Sequence, residues 1–108
     1  MITRFALFEG QIHDGHEAAF REAVLTQLVP LWANFPGQTD VRVMFGEERD
    51  EGAPEFALIL AISYRDLAGM EAALNSTYRE QSRIVTGEIV GQHFDGRIHH
   101  HVTEAHLF

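Results

Sequence analysis

Residues 2–9, ITRFALFE, divide into two sets by parity. Ile2, Arg4, Ala6 and Phe8 share one side, and Thr3, Phe5, Leu7 and Glu9 share the other. This predicts a strand with some burial on both faces. The periodicity then changes. Asp14 is a good helix N-cap, with Glu17 at the capping-box position three residues on. Phe20, Val24, Leu28, Leu31 and Trp32 follow at helical spacing. Pro30 is expected to kink or end that helix, because it lacks a donor and crowds the carbonyl of Thr26. Pro36-Gly37 then stops it.

Residues 41–46, VRVMFG, predict a second strand, and EERDEGAPE an acidic turn. The stretch FALILAISY, residues 56–64, is almost wholly apolar. Phe56, Leu58, Leu60 and Ile62 form a bulky face, and Ala57, Ile59, Ala61 and Ser63 a small one. A strand apolar on both sides is central and covered on both sides. Asp66 is placed to cap a second helix, with Leu67, Met70, Leu74 and Tyr78 or Gln81 on one side. Gly87 and Gly91 are expected to break the chain beyond that helix. RIHHHVTE, residues 97–104, is the last strand.

The predicted order is β-α-β-β-α-β. Right-handed crossovers turn it into an α+β, ferredoxin-like fold: a four-stranded antiparallel sheet with both helices on one face. The helices then leave one face of the central strand bare. A second copy of the sheet, related by a two-fold axis, is the simplest cover. The sequence therefore predicts a homodimer with sheets packed face to face.

Composition narrows the chemistry. The 108 residues are expected to form one domain, residues 1–108, with a core that needs no staples. There is no cysteine, which excludes disulfides, thiolate nucleophiles and cysteine-ligated metal. All eight basic residues are arginines, so Schiff-base chemistry on lysine is excluded. The formal charge of −8 repels phosphate backbones, and no nucleic-acid partner is expected. No run approaches membrane-spanning length and no secretory h-region is present, so the expectation is a cytoplasmic protein with no membrane partner. No phosphate-binding glycine loop, nucleophile elbow or zinc-protease motif occurs, and no cofactor is expected.

The candidate chemistry lies in His99, His100 and His101. On a strand, His99 and His101 share one face and His100 takes the other. Two imidazoles roughly 7 Å apart make half of a metal site and need a third ligand. His13, His16, His93 and Glu104 are the candidates, none at a diagnostic spacing. Alternatively, His99, His101 and Thr103 form a polar face inside a dimer barrel, or one imidazole serves a ligand pocket as general base. Which sheet face meets the helices decides whether His99 and His101 or His100 reaches such a pocket.

The layout, together with LVPLWANFPG (28–37) and FDGRIHHHVTE (94–104), resembles the dimeric α/β-barrel superfamily. That group includes EthD-like proteins, antibiotic-biosynthesis-type monooxygenases, heme-degrading monooxygenases and stress-responsive α/β-barrel proteins. The resemblance implies a homodimer with a ligand pocket between sheet and helices. EthD-like proteins tend to carry a histidine where this chain has Leu28, and heme-degrading members tend to carry one on the second helix. GMEAALNSTYRE (69–80) has none. Neither signature histidine transfers.

The resemblance implies a small enzyme acting on a hydrophobic or aromatic molecule, a cofactor-independent monooxygenase or an isomerase. His99 or His101 is the expected base, Tyr64 and Arg42 orient oxyanions, and Trp32 walls the pocket with Leu28 and Ile59. The alternatives are a non-catalytic small-ligand-binding or stress-response protein, and a metal protein using His99 and His101.

Overall fold

A computed structural model describes residues 1–108. The elements are β1 (Ile2–Ile12), α1 (Glu17–Ala23), a π-helical turn (Val24–Leu28), α2 (Val29–Ala33), β2 (Gln38–Phe45), β3 (Phe56–Tyr64), α3 (Leu67–Leu74), α4 (Thr77–His93) and β4 (Phe94–Glu104). The sheet is antiparallel in the order β2-β3-β1-β4. It is the expected α+β ferredoxin-like sandwich.

Strand parity holds through the middle of the sheet, with the register shifting against β3 between Phe8 and Glu9 and between Gln38 and Asp40. Ala6 pairs with Leu60 on β3 and with His100 on β4, Phe8 with Leu58 and Ile98, and Arg4 with Ile62 and Val102. Residues in register share a face, and this face meets the helices. Its core joins Ala6, Phe8, Leu58, Leu60, Ile62 and Tyr64 to Phe20, Val24, Leu28 and Trp32 of the first helical stretch, with Met70, Ala73 and Ile89. Phe94 stacks on Phe20 at 6.3 Å and meets Phe8 edge-on at 6.2 Å. The opposite face carries Phe5, Leu7, Met44, Ala57, Ile59 and Ala61, and no helix covers it.

Several expectations change in detail. The first helix begins at Glu17, not after Asp14. Gly15 adopts φ +79°, a left-handed turn that helix cannot continue through, and His16 caps the helix with no side-chain bond. Pro30 does not end the helix. The chain widens into the π turn just before it, and Pro30 opens α2 where no backbone donor is required. Asp66 is the expected cap, accepting from the Gly69 amide at 2.8 Å. The second helical stretch is two helices, since Ser76 caps α4 anew. Gly87 and Gly91 lie inside α4 without breaking it. Each costs about 1 kcal/mol relative to alanine, which tertiary packing through Ile89 outweighs. β1 and β4 run three residues further than their side-chain patterns suggest, through the pairs Gly10–Gly96, Gln11–Asp95 and Ile12–Phe94. A Cβ at either glycine would lie 2.1 Å from a facing carbonyl oxygen, so the strands close only because both are glycine. No helix is long and apolar enough to cross a membrane.

Candidate active site

Between the sheet and α4 lies a cavity of about 300 Å³, the low end of the range for small-molecule sites. Ala6, Phe8, Leu60, Ile62 and Ile98 form its floor, and Trp32, Phe35 and Val90 its walls. Polar groups enter from four elements: Arg4 from β1, Tyr64 from the end of β3, Ser82 with Arg79, Arg83 and Thr86 from α4, and His100 from β4. None of the residues lining it is acidic.

The electrostatics follow from this arrangement. Burial pushes the Arg4 pKa below its ordinary value, and the nearby Arg79 charge pushes it the same way. Burial lowers the His100 pKa, with Arg4, Arg79 and His99 adding to the effect. His100 stands at the cavity mouth, where partial desolvation first, and the Arg4 and Arg79 charges second, favour its neutral form. Burial raises the Tyr64 pKa against the opposing pull of Arg4 and Arg79. Its hydroxyl therefore keeps its proton and can donate it in a hydrogen bond. Ser82 is committed to the Arg79 carbonyl at 2.8 Å.

The residues singled out from sequence separate onto two faces. Trp32 and Tyr64 line the cavity. Leu28 is fully buried in the core behind it. His99, His101, Arg42 and Ile59 are on the uncovered face, because Leu7 pairs with His99 and Ile59, and Phe5 with His101 and Ala61, the register partner of Arg42. The grouping of His99 and His101 with Tyr64 and Trp32 in one pocket is therefore corrected: strand parity sends His100 there instead. His99 Nε2 bonds Glu9 Oε1 at 2.7 Å, and Arg97 approaches the same oxygen at 3.6 Å. No three imidazole or carboxylate groups are arranged to hold a metal ion.

Sequence reading also passed over Arg4 and Arg79. Arg4 was visible as the one charge among Ile2, Ala6 and Phe8. Arg79 gave no such signal, since its place depends on how α4 lies across the sheet. A second histidine group sits at the far end of α4. His16 Nδ1 and His93 Nδ1 are 2.9 Å apart, and His13 packs edge-on against His16 while reaching Asp95 at 3.1 Å. His93 is therefore a packed residue and not a free surface one.

No family model matches the sequence, and no curated protein does. Solved structures do. An EthD family protein of Bacillus halodurans superposes with a TM-score of 0.80 at 23% identity, covering 98% of this chain and 99% of that one. The chain shares its ferredoxin-like fold with these structures. A dimeric ferredoxin-like protein of Thermobifida fusca has a TM-score of 0.69 at 16% identity, covering 96% of this chain and 90% of that one. A cofactor-independent oxygenase of Streptomyces nogalater has a TM-score of 0.62 at 15% identity, covering 99% of this chain and 94% of that one. At these identities the likeness is one of ferredoxin-like fold, and function has to be argued from the site.

Proposed function

We propose that the protein is a small-molecule enzyme that removes a carbon-bound proton from a hydrophobic, aromatic substrate without a cofactor. His100 is the base. The observation that carries the reading is its environment: an imidazole held neutral at the mouth of an apolar cavity, sharing that cavity with a tyrosine hydroxyl held protonated. A neutral imidazole can accept the proton. The Tyr64 hydroxyl can donate to the oxygen of the resulting enolate. Phe8 in the floor and Trp32 and Phe35 in the walls give the flat apolar surfaces an aromatic substrate needs.

Two outcomes are open to the enolate. Returning the proton at another carbon is an isomerisation. Giving electrons to O₂ forms a peroxide, and loss of water then leaves a carbonyl where a methylene stood. The oxygenase of Streptomyces nogalater has this architecture, which supports the second outcome at the level of fold alone. The working unit in this reading is a homodimer joined through the uncovered sheet face. The exposed or half-covered Phe5, Leu7, Met44 and Ile59 support it, as does the dimeric Thermobifida fusca protein.

The test is proton exchange. Aromatic ketones such as 2-tetralone are incubated with the protein in D₂O, with O₂ uptake followed in parallel. Exchange that depends on His100 is expected. If His100→Ala exchanges as fast as the wild type, or no ketone exchanges above the uncatalysed rate, the reading is wrong. Saturable binding without exchange would support a non-catalytic ligand-binding protein, the reading favoured by the exposure of His100.

A further inference from the structure

Four of the eight arginines have carboxylate partners within the chain: Arg21, Arg49, Arg83 and Arg97. Arg4, Arg42, Arg65 and Arg79 have none, and of these Arg4 and Arg79 line the same cavity. The surroundings make this unusual. The chain carries a net charge of −8, with sixteen acidic residues available as partners. Not one of those carboxylates lines the cavity. Two like charges are thus held together in a partly desolvated, apolar space, each without a counter-charge. Such an arrangement is costly unless something anionic completes it.

We infer that the cavity binds an aromatic molecule carrying a permanently ionised group, a carboxylate or an acidic phenolate, which Arg4 and Arg79 hold between them. The inference rests on the reading of the cavity as a small-molecule site and names the charge class of its ligand. Guanidinium groups suit this role because they present planar, paired donors to a carboxylate. The roles then divide without overlap. The arginines hold the standing anion, the apolar walls take the ring, and Tyr64 and His100 remain free for the reacting end.

A further consequence ties the two halves of the site together. Arg4 and Arg79 both depress the basicity of His100. An anion seated on them offsets that repulsion, so His100 becomes a stronger base when the ligand is in place. By reciprocity the anion binds more tightly when His100 is protonated.

The experiment uses the full chain and two probes of one shape, 2-naphthoate and the uncharged 2-naphthamide, compared by calorimetric titration at pH 7.5. Naphthoate is expected to bind at least about tenfold more tightly, a difference that shrinks as salt is raised. Arg79→Gln should abolish most of that preference, weakening naphthoate far more than naphthamide, with Arg79→Lys partly restoring it. Arg4→Gln is the second variant, should Arg79 prove replaceable. The His100 ring signals in NMR should titrate at higher pH with naphthoate bound, a change that a merely structural pair of arginines would not produce. Equal affinity for the two probes, absence of naphthoate binding at millimolar concentration, or a preference that survives both arginine substitutions overturns the inference. The catalytic reading fails separately. If naphthoate binds as expected and no ketone exchanges, the anion site stands and the enzyme does not. If ketones exchange through His100 and naphthoate shows no preference, the reverse holds.

Discussion

His99 and Glu9 are joined across β4 and β1 by a 2.7 Å hydrogen bond on the uncovered face of the sheet, with the whole sheet between them and the cavity. One residue further along, His100 is in the cavity wall. Adjacent histidines thus lie on opposite faces, and substitution should tell them apart. His100→Ala is expected to lower proton exchange by about 10²- to 10⁴-fold, the usual contribution of a positioned general base. His99→Ala and His101→Ala should leave the exchange rate per folded molecule close to wild type. The measurement is exchange by NMR on all three variants.

The pH profile gives an independent check. The His100 pKa lies below its ordinary value through burial, with Arg4 and Arg79 adding to it. A base must be neutral to act, so activity should rise with pH through a value lower than that of a free imidazole and be flat at neutrality. Arg79→Gln removes one of the charges, so the rising limb should move to higher pH. A limb that stays put in Arg79→Gln would show that Arg79 does not act on His100.

Stability should also depend on pH, and the sign is fixed by Glu9. Its pKa is lowered, chiefly by the bond to His99. The ionised carboxylate is therefore favoured in the folded state. Its contribution is present above the ordinary carboxylate range and is lost as pH falls through the lowered value. Glu9→Gln should flatten the acid side of the stability curve in urea titrations. Because this site is open to solvent, the effect should be small and should weaken further in salt.

Assembly is the fourth prediction. Ile59 and Leu7 are register partners at the middle of the uncovered face. Ile59→Asp puts a charge there and should give a monomer in sedimentation at concentrations where the wild type is dimeric. A wild type that sediments as a monomer would overturn the dimer reading without help from any variant.

The glycine pair offers the last. At Gly96 an added Cβ would lie 2.1 Å from the Glu9 carbonyl oxygen. Gly96→Ala should cost about 1–3 kcal/mol by forcing the two strands apart, and Gly91→Ala, with open space around it, should not destabilise. Thermal unfolding of the two variants side by side is the check.

Much of the fold was legible because it depends on local pattern. Phe56 to Tyr64 was bounded correctly from sequence, since an unbroken apolar run between turn residues has few other uses. Asp66 declared its cap. The misreadings came where backbone geometry overrode side-chain pattern. Asp14 looked like a cap, but Gly15 behind it turns the wrong way. Gly87 and Gly91 looked like breaks, yet packing carried the helix past them. The site was half legible. Trp32 and Tyr64 could be singled out from their own neighbours. The choice among His99, His100 and His101 could not, because it turns on which side of the sheet the helices occupy. The partnership of Arg4 with Arg79 was equally hidden, since it joins a strand and a helix 75 positions apart.

The run of three histidines bears on how this site could change over time. In a strand, a slip of one residue exchanges the two faces. An insertion or deletion ahead of Ile98 would ordinarily erase a residue placed as His100 is. Here it would bring His99 or His101 to the cavity mouth in its place. Imidazole would still be delivered there after the slip, so the cavity mouth keeps that group through a small error of alignment that the rest of β4 would have to absorb by repacking.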